Sequence, residues 1–594
     1  MLAATRAGQH HARTTVFQFL REPTLLSSAR LRWPHIAIGA ACLLLRNTLA
    51  VAAPFFTGKA VDVVVQHADL SELHKMLWLV LGFAAITAVC QWWMRWLLIG
   101  WSRHTERDMR SGLFQHMLQV RLVPFASLRR GEVLTRLTGA PEAVRMGYGP
   151  GLMHAIGTAA LGTAALALML GTAPLLSLVA VLPMLALFVA LRPILRRIHT
   201  LSTEVQELQG LLAAEAQESF AGMRVVKTLG REQQRAHSFG VMSQRLQQTS
   251  LRLVRQRALF SGSIELFAGL ALVLIFLFGG RAVLEGELTL GAFTAFSGYL
   301  NLLVWPMIAL GWTLGLFQSA DANLGLINKL RAMETEDLRG SIGLGPALIE
   351  ARHLSFRHTD AAADVLHDVS FSIPIGATVG VVGRMGSGKS TLLQLLLRLH
   401  DPPRGTLFVC GQDVMDWALP DLRRQLAVVL QESFLFSDTL RANILFGHRA
   451  SDERLDAAVA TAALTADLQQ LPQGLDTMVG ERGVTLSGGQ RQRACLARAL
   501  LLDAPVLLLD DPLSAVDAET EERICAALQA SPSIRTTIIV THRLHALAHA
   551  DTILVLQEGR LVQQGTHSAL LRAEGSYRNL WHAADDLSTV EAKE

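Results

Sequence analysis

The hydrophobic pattern divides the chain near residue 330. Before that point, six apolar stretches each reach or exceed the roughly 20 residues that span the hydrocarbon core of a bilayer as a helix. After it, short strand-like runs alternate with helical runs and glycine-rich turns, as in an α/β domain. The pattern predicts six membrane-spanning helices, at residues 34–56, 76–100, 149–170, 174–195, 259–283 and 290–317.

Two polar segments between these spans, 101–147 and 196–257, are too long to be ordinary loops. Apolar residues recur in both at heptad-like spacing, and Arg, Gln and Glu occupy the remaining positions. We therefore expect long helical extensions of the membrane spans. A solvated stalk without a specific partner is the alternative that these segments alone would favour.

The distribution of Arg predicts the orientation. The N-terminal tail and both long segments are rich in Arg, and such segments lie on the cytoplasmic side of membranes. The connections at 62–72, 171–173 and 285–287 are short or mildly acidic, which fits the opposite side. We expect both termini in the cytoplasm. The first apolar stretch lacks a nearby cleavage pattern and is interpreted as an anchor that stays.

Composition supports a membrane protein. Of 594 residues, 51% are hydrophobic and 18% charged, with a mean hydropathy of +0.33. High apolar content excludes a disordered, collagen-like or disulfide-scaffold protein. The net charge of +4 is small for this length and argues against a nucleic-acid-binding protein. The five cysteines have no C-x-x-C or zinc spacing, so we expect reduced, buried thiols.

Residues 378–399 have the order strand, glycine-rich loop and apolar helix. In a Walker A loop of this kind, backbone N–H groups approach phosphates at the start of a helix, the lysine reaches the β and γ oxygens, and the serine holds magnesium. The sequence therefore predicts binding of ATP and Mg²⁺ by Gly383, Arg384, Met385, Gly386, Ser387, Gly388, Lys389, Ser390 and Thr391.

A second apolar strand, 506–509, ends in Asp510, a carboxylate that can hold Mg²⁺ through water as a Walker B residue. Between the two motifs stands Leu486-Ser487-Gly488-Gly489-Gln490. At this position the sequence resembles the signature of the ABC ATPases. Together with the six predicted spans, it makes the chain similar to an exporter-type ABC transporter, and the resemblance covers nearly its whole length.

The resemblance implies roles for further residues. Gln431 matches the Q-loop residue that senses magnesium, and His542 matches the switch histidine that contacts the γ-phosphate. Residues 480–483 resemble a segment that exporters place against the partner's coupling helix, and 131–137 and 218–227 resemble two intracellular regions. The D-loop, which lies across the dimer interface in this family, matches Ser514, Ala515, Val516 and Asp517.

The fold implied is multidomain: an all-α six-helix transmembrane domain with long cytoplasmic extensions, followed by an α/β P-loop NTPase domain. The division is an N-terminal segment at 1–33, a transmembrane domain at 34–329, a linker at 330–346 and a nucleotide-binding domain at 347–594. Such a half-transporter works as a dimer, in which the signature of one subunit closes the Walker site of the other. The extensions then end in coupling helices docked on the ATPase domains.

Two positions depart from the family pattern. Asp511 stands where the family usually has the Glu that polarises the attacking water, and its side chain is one methylene shorter. Misplacement on this scale can cost about 10²-fold in rate, so we expect slow hydrolysis at this chain's own site. His358 stands where the adenine-stacking Tyr is expected. We favour a heterodimer with one degenerate site; a homodimer with Asp511 as a weak base is the alternative.

The predicted spans contain few charges. Arg46 and Arg95 lie in the first and second spans and Glu265 in the fifth, and charged groups at such depth mark cavities or helix pairs. Aromatic and Met residues near Arg95 suit amphipathic, cationic or planar compounds. The sequence predicts ATP-driven export of hydrophobic or amphipathic compounds across a bacterial inner membrane. A siderophore or metal-chelate importer and a peptide or lipid exporter are the alternatives; the spans argue against a soluble ABC ATPase.

Overall fold

The computed structural model describes residues 23–66, 70–126, 128, 130–340, 348–358, 361, 363–480, 483, 485–529 and 536–591. The chain forms two compact units. One combines the residues up to 118 with residues 128–333, and the other combines residues 119–127 with the chain from 334 onward. The remaining parts of the predicted N-terminal segment and linker, 1–22 and 341–346, lie outside the described residues, as does residue 347.

The first unit is helical throughout. A short helix, Pro23–Leu31, precedes the long ones, and a π-helical turn at Gly147–Gly151 joins two helices into one run. Apolar side chains from several helices, such as Met169, Ala180 and Phe296, pack into a buried cluster. The helices are Trp33–Val65, Leu70–Gln119, Arg130–Met146, Leu152–Thr172, Pro174–Ala221, Met223–Thr228, Glu232–Leu284 and Leu290–Arg331.

Within the described residues, five helical runs are long and apolar enough to cross a membrane: Trp33–Val65, Leu70–Gln119, Val133–Thr172, Pro174–Ala221 and Glu232–Leu284. The sixth predicted span, 290–317, lies in the helix Leu290–Arg331, where the side chains at 304, 305, 307, 308 and 310 are outside the described set. Six spans therefore stay a prediction. The predicted helical extensions are confirmed, because Leu70–Gln119, Pro174–Ala221 and Glu232–Leu284 run far past their apolar parts.

The second unit is an α/β domain with two sheets. Strands β1 (Ile349–Phe356), β2 (Leu366–Ile373), β4 (Leu407–Val409) and β5 (Gln412–Asp413) form an antiparallel sheet in the order β2-β1-β4-β5. The larger sheet has the order β10-β9-β3-β8-β7-β6, and all its neighbouring strands are parallel except β10 and β9. Its strands are β3 (Thr378–Val382), β6 (Leu426–Val429), β7 (Val506–Asp510), β8 (Thr536–Val540), β9 (Thr552–Gln557) and β10 (Arg560–Gly565).

The central strands β3, β7 and β8 are buried along almost their whole length and are mostly apolar, because both faces of the sheet are covered. In β7 the side chains alternate between two cores: Leu507 and Leu509 pack on one face, and Val506 and Leu508 on the other. Parallel strands end at the same edge of a sheet. The residues that follow Val382 in β3 and Leu509 in β7 therefore lie close together at that edge. The predicted fold class, helical membrane domain followed by α/β domain, is confirmed.

Helices of the second unit surround these sheets. Ser487 caps the helix Gly488–Leu501 through a capping box with Gln490, which satisfies two backbone donors at its start. A short helix, Leu122–Ala126, also belongs to this unit. The other helices are Lys389–Leu396, Leu419–Arg424, Leu440–Leu445, Asp452–Thr461, Thr465–Gln470, Ala518–Gln529, His567–Arg572 and Ser576–Glu591.

Candidate nucleotide site and membrane cavity

The loop after β3 has a backbone that requires glycine. Gly388 adopts φ +97° immediately before the helix Lys389–Leu396, and a Cβ there would meet the Leu366 side chain and the Val365 carbonyl. Lys389 Nζ donates hydrogen bonds to the carbonyls of Gly383 (2.8 Å) and Arg384 (2.9 Å). Partial burial lowers the pKa of this ammonium group. Backbone N–H groups and one cation thus converge at a helix start, which fits the phosphates of a nucleotide.

A cavity of about 500 Å³ opens over this loop. It collects residues that are far apart in the sequence, because β3, β7 and β8 end at this edge of the sheet. The predicted residues that line it are Gly383, Met385, Gly386, Ser387, Gly388, Lys389, Ser390, Thr391, Gln431, Asp510, Asp511 and His542. Val365, Val540 and Thr541 line it as well, whereas Arg384, His358 and the signature residues do not.

Ser390 and Asp510 form the part of the cavity that suits a metal ion. Ser390 Oγ lies 3.4 Å from Asp510 Oδ1, and two adjacent oxygen ligands of octahedral Mg²⁺ lie about 3 Å apart. Asp510 is 8% exposed, and burial raises the pKa of its carboxyl group. A buried carboxylate next to a hydroxyl is an oxygen donor set that fits Mg²⁺.

Asp511 has an unusual backbone and a histidine neighbour. Its φ is +49°, a left-handed conformation that Asp adopts more readily than most residues, and its N–H donates to the Val540 carbonyl at 2.8 Å. Its Oδ1 lies 3.1 Å from His542 Nδ1 and 3.4 Å from Thr541 Oγ1. The Asp511 side chain is 13% exposed and that of His542 is 66% exposed. The histidine ring thus lies between this carboxylate and solvent.

His358 lies in an aromatic cluster beside the cavity. Its ring meets those of Phe356 (centroids 5.1 Å apart) and His400 (4.8 Å) edge-on, and its Nε2 is 3.3 Å from Thr391 Oγ1. Burial lowers the pKa of His400, and the neighbouring His358 lowers it further. His358 is therefore held at the edge of the Walker loop, with its ring nearly perpendicular to those of Phe356 and His400.

The signature helix is tied to the predicted D-loop. Gln492, 6% exposed, donates through Nε2 to Ser514 Oγ at 2.7 Å and accepts from Ala515 N–H at 2.9 Å. Arg543, which follows His542, donates to the carbonyls of Val516 (2.8 Å) and Ser514 (2.9 Å). Residues 481 and 482 of the segment 480–483 lie outside the described residues.

In the first unit, Arg46 and Arg95 line a second cavity, of about 180 Å³, together with His154 from a third helix. Glu265, the third charged residue predicted for a substrate cavity, is not among the residues that line this one: its side chain is exposed on the helix Glu232–Leu284. All five cysteines are free, as predicted; three are buried, while Cys42 and Cys525 are half-buried.

Comparison with known proteins identifies the family. Residues 36–307 match the ABC transporter transmembrane region, and residues 366–514 match the ABC transporter family. The chain is 34% identical, over 554 residues, to the "Probable multidrug resistance ABC transporter ATP-binding/permease protein YheI" of Bacillus subtilis, covering 92% of this chain and 94% of that protein. The chain belongs to the ABC transporters. Its ATPase domain binds ATP, and ATP hydrolysis is coupled to transport.

Two further relatives agree with the exporter-type architecture of this ABC transporter. The "ATP-dependent lipid A-core flippase" of Photobacterium profundum is 33% identical over 477 residues, which is 80% of this chain and 82% of the flippase. A solved structure, of a bacterial Atm1-family ABC exporter with ATP bound, is 28% identical with a TM-score of 0.80, and the match covers 93% of this chain and 98% of that one.

Sequence reasoning missed three residues that organise this ABC transporter's sites. Gln492 and Arg543 form hydrogen bonds with the D-loop. In the sequence, only their positions next to the signature and next to His542 could have indicated this role. His154 lines the membrane cavity, and a single histidine in an apolar run gave no indication of a shared cavity. Each depends on tertiary placement rather than on a local motif.

Proposed function

We propose that this chain is one half of a dimeric transporter that exports hydrophobic or amphipathic compounds at the expense of ATP. One observation about the nucleotide cavity carries the proposal. Gln431, Asp510, Asp511 and His542 join the Walker loop around one cavity, in a chain that also has membrane-crossing helices. The names of the relatives, which include a multidrug transporter and a lipid A-core flippase, support this substrate class.

In this proposal residues 383–391 and His358 hold ATP, and Ser390, Gln431 and Asp510 hold Mg²⁺. Bound Mg²⁺ neutralises charge on the β and γ phosphate oxygens. Lys389 exchanges its bonds to the Gly383 and Arg384 carbonyls for phosphate oxygens. His358 supports the adenine ring, with less stacking area than a tyrosine.

Asp511 polarises the attacking water, and His542 contacts the γ-phosphate. The short Asp511 side chain makes hydrolysis slow at this site, by up to about 10²-fold. The signature, Leu486 to Gln490, and the D-loop, Ser514 to Asp517, serve the partner's ATP. A heterodimer with one competent site follows, and a homodimer in which Asp511 is a weak base is the alternative.

Coupling to the membrane domain uses the short segment 119–127. Arg121 pairs with Asp401 at 2.7 Å, and Asp401 pairs with the buried Arg398 at 3.2 Å, just after the helix that begins at Lys389. A second contact joins Arg423 to Glu336 through two bonds of 2.9 and 2.7 Å. The pairs of Arg121, Asp401 and Arg398 link the residues after the Walker helix to segment 119–127. The Arg423–Glu336 pair links the helix Leu419–Arg424 to the residues that follow the helix Leu290–Arg331.

We propose the domain division 1–33, 34–329, 330–346 and 347–594, with six spans and both termini in the cytoplasm. The location is the inner (plasma) membrane of a bacterium. ATP brings the two nucleotide-binding domains together, which closes the inner side and opens the outer side. Hydrolysis, chiefly at the partner's site, resets the cycle.

Two alternatives keep this architecture. A peptide or lipid exporter differs only in cargo, and the flippase names among the relatives favour the lipid case. A siderophore or metal-chelate importer reverses the direction, and the arginines of the membrane cavity would suit an anionic chelate. Direction is tested in inverted and right-side-out vesicles, because an exporter accumulates substrate only in inverted ones.

The deciding experiment measures ATP turnover by the purified chain alone and co-expressed with its nearest-encoded ABC half-transporter. We expect negligible turnover alone and full turnover with the partner. Lys389→Ala in this chain is the control for nucleotide binding at its own site. Full turnover by the isolated chain would overturn the heterodimer and make Asp511 a working base in a homodimer.

A further inference from the structure

The membrane cavity is built from three helices and is rich in nitrogen donors. Arg46 and Asn47 come from Trp33–Val65, Gln91 and Arg95 from Leu70–Gln119, and His154 from Leu152–Thr172. Its other lining residues are apolar or small, apart from Thr158. Of the described residues that line it, none carries a carboxylate. The cavity therefore holds two fixed positive charges and no negative one.

Neutral groups hold the Arg46 guanidinium in place. Arg46 Nε donates to Gln91 Oε1 at 3.1 Å, and Nη1 is 3.4 Å from Asn47 Oδ1. Asn47 is 4% exposed and is itself fixed by donating to the Gly157 carbonyl at 2.9 Å. The amide oxygens orient the guanidinium but do not neutralise its charge. Several of the five guanidinium N–H donors stay available for a ligand.

Uncompensated arginines are costly in the apolar part of a membrane protein, and such residues normally face a ligand or a counter-charge. An oxyanion supplies what this cavity lacks, because guanidinium groups bind carboxylate and phosphate through paired, charge-assisted hydrogen bonds. A cationic drug would meet two like charges instead. The charge of the cavity thus narrows the substrate class that the aromatic residues near Arg95 left open.

The cavity is too small for a whole substrate. Pockets for drug-sized ligands occupy roughly 300–1,000 Å³, whereas this one has about 180 Å³. That volume suits a phosphate or carboxylate group, with the apolar part of the ligand outside. Trp92 and Trp96, on the adjacent face of the helix that carries Arg95, are each 60% exposed in the single chain, and their rings stack at 6.1 Å. They provide an apolar surface beside the charged group.

We propose that Arg46, Arg95 and His154 bind the phosphate or carboxylate headgroup of an anionic amphiphile. The inference rests on the proposed transport function, whose substrate class it narrows. Arg46 and Arg95 contact the headgroup oxygens, His154 adds a third donor, and the hydrocarbon part lies along the tryptophan face. Glu265, on a separate helix, takes no part.

The test uses the full chain with its partner in nanodiscs of zwitterionic lipid, without nucleotide. The probes are phosphatidic acid and phosphatidylcholine with the same dibrominated acyl chains, which quench tryptophan fluorescence on contact. We expect saturable extra quenching by phosphatidic acid only. Arg46→Gln and Arg95→Gln each weaken it roughly tenfold, as loss of a hydrogen bond to a charged group does. Arg192→Gln, in the membrane helix Pro174–Ala221 but outside the cavity, leaves it unchanged.

Equal quenching by the two lipids, or unchanged phosphatidic acid binding in both glutamine variants, would overturn the proposal. Arg46→Lys and Arg95→Lys keep the test valid if a glutamine variant fails to fold, since lysine retains the charge without the planar fork and should bind with intermediate strength. Excess inorganic phosphate then distinguishes the two sources of the anion. If it displaces phosphatidic acid, the free anion is a sufficient ligand of the site. If it does not, the site requires a headgroup that is attached to a lipid. Because the binding is measured without nucleotide, its result is independent of the test of ATP-driven transport. Absence of phosphatidic acid binding would overturn this inference and leave the proposed transport function intact. Loss of ATP-driven transport with normal binding would overturn only the transport function.

Discussion

His542 Nδ1 lies 3.1 Å from Asp511 Oδ1, so an exposed histidine ring is in direct contact with a largely buried carboxylate at the nucleotide site. The geometry of this contact follows from the left-handed backbone at Asp511, which directs this short side chain toward the residues after β8. Histidine and carboxylate are therefore coupled at the residue that we propose polarises the attacking water.

Substituting Asp511 tests this coupling. In the isolated chain, Asp511→Glu should raise ATP turnover by up to about 10²-fold, because the added methylene restores the reach of the carboxylate. Asp511→Asn should abolish the residual turnover, since the amide cannot accept the proton. Steady-state phosphate release measures both.

The same variants distinguish the two assemblies. In a complex with a competent partner, Asp511→Glu should change turnover little, because hydrolysis occurs chiefly at the other site. A large gain in the complex from Asp511→Glu would contradict the asymmetric assignment.

The nucleotide half could be predicted closely because its chemistry is encoded locally. Lys389 and Ser390 follow a glycine loop at fixed spacing, and a strand must precede and a helix must follow for that loop to work. Asp510 was recognisable as the end of an apolar strand. The cluster of Phe356, His358 and His400 was not, because His400 reaches it only through the tertiary fold.

The membrane half could be predicted only in outline. Apolar length reveals a span, but a helix that is hydrophobic on all sides does not show which face meets which neighbour. Arg46 and Arg95 were visible as charges in apolar runs, yet His154 lines the same cavity and Glu265 does not. Only the packing of the three helices decides this.

Asp510→Asn should make the nucleotide-free protein more stable at neutral pH. Burial raises the pKa of this carboxyl group above its unfolded value, so the folded state binds its proton more tightly. The resulting penalty is absent below the ordinary pKa of Asp, grows as the pH rises through the interval up to the raised pKa, and is complete above it. Thermal unfolding at pH 7.5 should show a higher midpoint for Asp510→Asn.

Addition of ATP with Mg²⁺ should reverse the order. The wild-type protein gains stability by ligand binding, and the variant, which lacks a metal-binding carboxylate, gains much less. Asp456→Asn, at an exposed helix position, is the matched control and should stay within about 0.5 kcal/mol in both conditions. A lower midpoint for nucleotide-free Asp510→Asn would show that its carboxylate stabilises the fold.

Arg121→Gln should uncouple hydrolysis from transport. It removes the 2.7 Å pair with Asp401 and leaves Asp401 bound to Arg398 alone. Since Arg121 lies outside the nucleotide cavity, we expect ATP turnover within about twofold of wild type and a loss of most substrate movement per ATP. Vesicle transport and phosphate release are measured in the same preparation. Arg404→Gln, which breaks the exposed 2.7 Å pair with Asp416, is the control that should leave the ratio unchanged.

Glu106 is the carboxylate on which a buried ion cluster of the helical unit depends. It is 3% exposed and lies 3.0 Å from Arg145, whose side chain is 4% exposed, and 2.7 Å from Arg110. Glu106→Gln leaves the Arg145 charge buried without its carboxylate, and breaking such a pair costs roughly 3–5 kcal/mol. Thermal unfolding in detergent should show a large drop in midpoint.

The matched control for this cluster is Glu142→Gln. Glu142 contacts the same arginine, at 3.5 Å, but its side chain is 53% exposed. Water screens that charge, so its removal should cost only about 0–1 kcal/mol. If the two variants lowered the unfolding midpoint equally, burial would not be what makes Glu106 important. A restored midpoint in the double variant Glu106→Gln/Arg145→Met would assign the cost to the Arg145 charge, because the double variant removes that buried charge together with its carboxylate.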